Sequence, residues 1–236
     1  MTAPQTDGAG LERSVWPSEQ VVHQVDSTIA LTHFDDMDAL SAGLVDYLVR
    51  CEREYRANTP KDSFGVGGTK IYHVDAWPVA GARLLDERAQ AMFRETVGHP
   101  TSAVDLSWGN VYRAGDYIIP HAHRRSTGSV VYVLSLGDID AADRLSGRFA
   151  IADSRLPLCN HDDNIQKFTP CMPPLKAGSM IVFPSSVVHF VTPYRGEDRP
   201  RITLSWNINA KPLAGRPQDD DASIPPHPED TSPVEP

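Results

Sequence analysis

The chain has 236 residues, 40% of them hydrophobic, and a formal net charge of -9. That length supports one sizeable core and argues against a second full domain. The acidic balance argues against nucleic-acid binding and a polybasic membrane surface, and no apolar run approaches the roughly 20 residues that span a bilayer.

Residues 1–20 are polar and aperiodic, lack a basic-then-apolar signal pattern and read as a disordered tail. Three cysteines (Cys51, Cys159, Cys171) are an odd number and suit a reducing cytoplasm, so a cytoplasmic location is expected. One domain is expected over residues 21–210.

Met37, Leu40, Leu44, Leu48, Cys51 and Tyr55 recur at steps of three and four and predict a helix, with Asp35 or Asp36 placed to cap it. Lys61 to Val79 is Gly-rich and reads as loop with one short strand. Gly65-Val66-Gly67-Gly68 within it lacks the strand, helix and Lys-Ser/Thr context of a phosphate loop. Leu84, Leu85, Ala89, Met92, Phe93 and Val97 predict a second helix that Gly98 stops.

From Asp105 the pattern turns to short strands: Leu106 to Arg113, Ser129 to Leu136, Arg148 to Ala152, Ser179 to Phe183, Val187 to Thr192 and Arg201 to Ile208. Two helices followed by many strands predict an antiparallel barrel or sandwich braced by helices. Asp153 to Leu175 is long and irregular, as lids and binding loops are. Residues 211–236 are Pro-rich and acidic, with the solvated run Asp219-Asp220-Asp221, and read as a disordered tail.

The chemistry concentrates in a few places. In Pro120-His121-Ala122-His123 an extended strand puts both imidazoles on one face, together with Tyr117 and Ile119, while Asp116 and Ala122 point away. Neutral imidazole is a good ligand for first-row metals, although two surface histidines at a strand end would look the same. Downstream, Phe183-Pro184-Ser185-Ser186-Val187-Val188-His189 reads as strand, sharp turn and returning strand, with His189 available as a third ligand.

In Arg201-Ile202-Thr203-Leu204-Ser205-Trp206-Asn207-Ile208 the polar residues share one face. Arg201 could lie antiparallel to the His189 strand, where its guanidinium fork would bind a carboxylate with help from the Thr203 hydroxyl. Arg199 precedes Pro200 and belongs to the turn. Trp108, Asn110 and Tyr112 share a face just upstream and could line a polar pocket or be plain core. Arg124 and Arg125 could face an anionic substrate at the pocket mouth, and Arg155 and His161 could contact substrate from the long loop. Cys159, His161 and Cys171 could form a zinc fragment, with irregular spacing for one.

Assembled from Trp108 to Asn207, these motifs resemble the Fe(II)- and 2-oxoglutarate-dependent oxygenases. The small subgroup most similar is written Trp-x-Asn, Gly-Asp-Tyr, Pro-His-x-His, Phe-Pro-Ser, His, Arg-x-Ser/Thr, Asn. The resemblance implies a mostly-β fold, a double-stranded β-helix or jelly-roll with flanking helices, and Fe(II), 2-oxoglutarate and O2 as cofactor and co-substrates. It makes His121 and His189 iron ligands, and Arg201 with Thr203 the clamp on the far carboxylate of 2-oxoglutarate. Tyr112 and Asn110 would assist, with Trp108 and Asn207 near the substrate. The expected partner is a small-molecule substrate, with no nucleic acid and no membrane; a homodimer is left open.

One position departs from the pattern: most of that superfamily has His-x-Asp or His-x-Glu, and this chain has His123 there. His123 is then a third ligand, or a residue behind the metal or on the substrate, or is replaced by a carboxylate from the long loop such as Asp153 or Asp162. The same spacing resembles the cupins, which share the jelly-roll core. A cupin would carry a ligand Glu near Thr127 or Gly128, and this chain has none there. A three-His cupin-type dioxygenase without 2-oxoglutarate, and a jelly-roll that has lost its metal, are the competing readings.

Overall fold

The structure is a computed structural model that describes residues 5–6, 12–13, 19–24, 27–58, 68–123, 125–139, 142–152 and 171–212. Arg124, Asp153, Arg155, Cys159, His161, Asp162, Gly65 to Gly67, most of the expected Asp153–Leu175 loop and most of both expected tails lie outside the described residues.

Two helices form where the apolar periodicity places them. The first, α1, spans Asp38–Asn58 and buries Leu44 and Leu48. Asp35 and Asp36 lie in a 3-10 turn just before it, where Asp36 takes a bidentate ion pair from Arg88 of the second helix. That helix, α2, spans Ala82–Val97 and ends at Gly98, whose φ of 66° is the left-handed cap expected of a glycine stop. Its inward face is Ala82, Leu85, Asp86, Ala89, Met92 and Phe93. Leu84 and Val97 are exposed instead, because the stripe is centred one residue round from where the sequence suggests.

The strands in chain order are β1 Gln5–Thr6, β2 Glu12–Arg13, β3 Glu19–Gln24, β4 Ser27–His33, β5 Thr69–Tyr72, β6 Ala103–Tyr112, β7 Ile118–His121, β8 Gly128–Ser135, β9 Phe149–Ile151, β10 Ser179–Pro184, β11 His189–Val191 and β12 Arg201–Asn209. Strands β1 and β2 pair with each other inside the segment expected to be a tail. All ladders are antiparallel. Seven strands form one sheet in the order β3-β4-β10-β8-β12-β6-β5, and β7-β11-β9 form a smaller one. With both helices on one face of the large sheet, this is the expected jelly-roll with flanking helices. The reading from sequence passes over β3 and β4, although Ile29 and Leu31 alternate with Ala30 across the two faces of β4.

Alternation along the strands separates two cores. Ile202, Leu204, Trp206 and Ile208 of β12, with Val130, Tyr132 and Leu134 of β8 and Met180 and Val182 of β10, pack against the helices. Val131, Ile181, Phe183, Phe149, Ile151 and Val191 pack between the sheets. Every residue of β12 is buried, so its polar face, Arg201, Thr203, Ser205 and Asn207, turns inward rather than to solvent. Arg201 is paired with Tyr112, Thr203 with Asn110 and Ser205 with Trp108 on β6.

Candidate metal centre and co-substrate pocket

Three imidazoles converge. His189 pairs with His121 across β11 and β7, and the ring centroids are 4.3 Å apart for His121 and His189, 5.0 Å for His121 and His123, and 5.3 Å for His123 and His189. One nitrogen from each lies within 4.8 Å of the other two, which is close enough for one ion to meet all three.

Two of the rings are oriented alike. His121 Nδ1 lies 2.9 Å from the Ile119 carbonyl oxygen and His189 Nδ1 3.0 Å from that of Val187. A carbonyl can only accept, so each Nδ1 carries the proton and each Nε2 keeps its lone pair for a metal. His123 differs: its Nδ1 lies 3.3 Å from Asn207 Nδ2, and Asn207 Oδ1 accepts from Ser129 Oγ. Burial pushes the His189 pKa down to about 3, with further lowering from His121 and His123. The ring is therefore neutral near pH 7, the form that ligates.

Beside the histidines is a cavity of about 60 Å³ between the sheets. Apolar side chains of Ile118, Val131, Phe149 and Val191 form part of its wall. Arg201 also reaches it and is only 2% exposed, with its Cζ 4.8 Å from the centre of the Tyr112 ring. Its Nε and Nη1 have no hydrogen-bond partner. The Tyr112 hydroxyl bonds with Thr203 and Arg201. Burial lowers the Arg201 pKa, opposed by Tyr112, yet a guanidinium stays charged in proteins. Among the described residues this buried cation, with two idle N–H-bearing nitrogens, has no counter-anion, and a carboxylate would supply one. Gly147 leaves room for the Arg201 stem, since a Cβ there would lie 2.8 Å from Arg201 Cδ.

The sequence-derived residues divide as follows. His121, His123, His189, Arg201, Thr203, Tyr112, Asn110, Trp108 and Asn207 all line this one cavity. Arg125 is not among its lining residues, and Arg155 and His161 lie outside the described residues. Arg201 does not lie antiparallel to the His189 strand: β12 pairs with β6 and β8 in the large sheet, β11 with β7 and β9 in the small one. The two residues meet across the interior, because the jelly-roll folds one sheet over the other. Tyr117 and Ile119 do not share the histidine face. A bulge lets Ile118, His121 and the residues between them oppose only His189 to Val191, which reverses parity, exposes Ile119 (46%) and turns Ile118 inward. Asp116 is engaged elsewhere, by Arg56 at 3.0 Å and the Arg113 amide at 2.7 Å.

Lys70 and Ser129 also line the cavity and escape the sequence reading, and Ser205 joins them from the polar face already read for β12. Lys70 sits in the Gly-rich stretch, and only the pairing of β5 with β6, Lys70 opposite Asn110, puts it on the inner face. Ser129 opens a continuous apolar run, where nothing local marks it off from an ordinary strand serine.

Residues 106–207 match the family model described as putative 2OG-Fe(II) oxygenase. Over that stretch the chain is similar to the 2OG-Fe(II) oxygenases. No curated protein matches the chain. Among solved structures, the chain is similar to EctD from S. alaskensis in its apoform, with TM-score 0.55, 16% identity, and coverage of 77% of this chain and 72% of that one. It is also similar to the non-heme alpha ketoglutarate dependent epimerase SnoN from nogalamycin biosynthesis, with TM-score 0.54, 17% identity, and coverage of 80% and 79%. A Pseudomonas putida prolyl-4-hydroxylase gives TM-score 0.50, 18% identity, and coverage of 77% and 92%. At such identities these likenesses speak to the jelly-roll fold.

The family works with Fe(II), 2-oxoglutarate and O2. The residues present fit them. Three nitrogen donors suit a first-row metal, and the orphaned Arg201 guanidinium suits the far carboxylate of 2-oxoglutarate. That orphan is what a cupin-type centre without 2-oxoglutarate leaves unexplained. Among the described residues no helix is long and apolar enough to cross a membrane.

Proposed function

We propose that this oxygenase hydroxylates a small-molecule substrate with oxidative decarboxylation of 2-oxoglutarate. In this reading His121, His189 and His123 hold the iron, and Arg201, Thr203, Tyr112 and Asn110 hold 2-oxoglutarate. The single observation that supports it best is Arg201, buried beside three clustered histidines with Nε and Nη1 unpartnered.

The chemistry supplied when iron, 2-oxoglutarate and O2 are bound is oxidation of a substrate C–H bond, coupled to conversion of 2-oxoglutarate into succinate and CO2. The protein's own part is placement. Arg201 provides the charged fork, Tyr112, itself bonded to Thr203, holds that fork in place, and both hydroxyls are offered to the same carboxylate. The backbone carbonyls of Ile119 and Val187 keep two imidazoles in the ligating tautomer. Ile118, Val131, Phe149 and Val191 keep bulk water from the reacting centre.

Titration of 2-oxoglutarate into Mn(II)-loaded protein tests the reading. Wild type should bind, and Arg201→Ala should bind on the order of a hundredfold more weakly, about 3 kcal/mol, because a buried carboxylate loses its charged partner. A wild type that binds no 2-oxoglutarate overturns the reading and returns the three-His cupin-type centre.

A further inference from the structure

Apart from Arg201, two more side chains of the cavity wall carry an orphaned polar atom. Trp108 and Asn110 lie two residues apart on the inner face of β6, are 6% and 4% exposed, and both line the cavity. Among the described residues Trp108 Nε1 and Asn110 Oδ1 have no hydrogen-bond partner. An indole N–H only donates and an amide oxygen only accepts, so the wall carries one unused donor next to one unused acceptor. A buried polar atom left unpaired is costly, and a ligand carrying the opposite groups removes that cost.

The co-substrate does not account for the pair. The inner face of β6 runs Trp108, Asn110, Tyr112, opposite Ser205, Thr203 and Arg201 of β12. Trp108 is therefore four residues, roughly 13 Å along the strand, from the Tyr112–Arg201 end. Its ring lies instead 6.0 Å, centre to centre, from that of His123, so it borders the histidines, where a substrate C–H bond has to be presented. Asn110 Nδ2 lies 3.5 Å from Ser205 Oγ and has a second hydrogen to offer 2-oxoglutarate. Asn110 Oδ1 cannot serve that dianion, whose oxygens all accept and none of which donates. Together Trp108 and Asn110 call for a group with an acceptor and an N–H on neighbouring atoms. An amide has that pattern. A ketone, ester or carboxylate lacks the donor, and a hydroxyl would have to meet both side chains from one atom.

We propose that Trp108 and Asn110 form the substrate subsite, and that the substrate is a small molecule bearing an amide, whose carbonyl accepts from the Trp108 indole N–H and whose N–H donates to Asn110 Oδ1. This rests on the function proposed above. The two bonds fix the amide against β6 and set the rest of the molecule beside the histidines.

Small amides, each paired with the ester of the same shape, test the subsite: 2-pyrrolidinone against γ-butyrolactone, and N-butylacetamide against butyl acetate. Each is titrated into isotope-labelled protein loaded with Zn(II) and 2-oxoglutarate, and the Trp108 indole N–H is followed by NMR, its signal identified by its absence in Trp108→Phe. At least one amide should shift that signal saturably, and its ester should bind on the order of tenfold more weakly, because it offers Asn110 no proton. Calorimetry should show the amide weakened by a similar factor in Trp108→Phe, with 2-oxoglutarate affinity unchanged. Amides that leave the Trp108 signal unmoved overturn the subsite. So do esters that bind wild type as tightly as amides, which would mean that the Asn110 amide is turned over and presents Nδ2. Loss of 2-oxoglutarate binding in a Trp108→Phe protein whose other indole signals are unchanged overturns it too, by assigning the indole to the co-substrate. The comparison of amide with ester is made on wild type and holds whether or not the variant folds. Wild type failing the 2-oxoglutarate titration is a separate result, which removes the oxygenase reading itself.

Discussion

At the scale of residues, the decisive position is His123. Its neighbours His121 and His189 have their Nδ1 protons committed to backbone carbonyls, whereas His123 faces an amide that can serve either tautomer. With Asn207 Nδ2 toward the ring, His123 Nδ1 accepts. With the amide turned over, Oδ1 accepts from Nδ1–H, and Ser129 Oγ can take the Nδ2 proton while donating to Ser185 Oγ, 2.9 Å away. The second arrangement frees Nε2 for iron. We therefore expect His123→Ala to lose iron as His121→Ala and His189→Ala do, and His123→Asp to retain part of it by restoring two histidines and a carboxylate. Bound iron measured anaerobically across the four variants decides. A loss of only tenfold to a hundredfold in His123→Ala would place it behind the metal rather than on it. At this scale the sequence was highly legible, since His-x-His, the lone His189 and Arg-x-Thr all fall in one cavity. Lys70 was not, because a lysine in a Gly-rich stretch has no local mark that it faces inward.

At the scale of elements, the helices and six of the strands follow from periodicity, and their faces follow from what packs on each side. Strand β6 makes the point. Trp108, Asn110 and Tyr112 face the cavity, while Gly109 faces the helices, where a Cβ would lie 2.8 Å from Trp77 Cη2 and 2.9 Å from Leu48 Cδ2. Rings and leucines wedged between sheet and helix have little room to move. Gly109→Ala should cost about 1–3 kcal/mol, read as a lower urea midpoint with unchanged slope. A midpoint equal to wild type would mean that α1 yields freely. On the same layer, Trp206 Nε1 donates to the buried Asp86 carboxylate at 2.8 Å and ties β12 to α2. Burial raises the Asp86 pKa while this bond and the one from Gln90 lower it. The β7 bulge is where the element reading failed. One extra residue inverts parity, and nothing in Tyr117-Ile118-Ile119-Pro120 announces it.

At the scale of the whole molecule, assembling the site makes stability depend on pH. Folding carries His189 out of water between two other imidazoles, and its pKa drops from 6.5 to about 3. Above pH 6.5 the ring is neutral in both states and the stability is fully present. As pH falls from 6.5 toward 3, the unfolded chain takes a proton that the folded protein refuses, so stability is lost through that window. The loss amounts to several kcal/mol at most by the 1.36 kcal/mol per pH unit conversion. Urea denaturation of chelator-treated protein at pH 7 and pH 5 should therefore show a drop that is smaller in His189→Gln. Parallel pH dependence in the two proteins would show that the ring is more solvated than its burial implies.

What this sequence determined by itself is what repeats locally. Steps of three and four wrote α1 and α2, alternation and apolar runs wrote six of the seven strands from β6 onward, and short motifs named most of the cavity's chemistry. Tertiary structure decided what depends on contacts far apart in the chain. It put His189 opposite His121 in one sheet and Arg201 opposite Tyr112 in the other, brought Lys70 to the inner face through β5, and left Arg201 without an anion. The reason is physical. Backbone periodicity is set by neighbours within a few residues, whereas register, bulges and the facing of two sheets are set by how the whole interior packs.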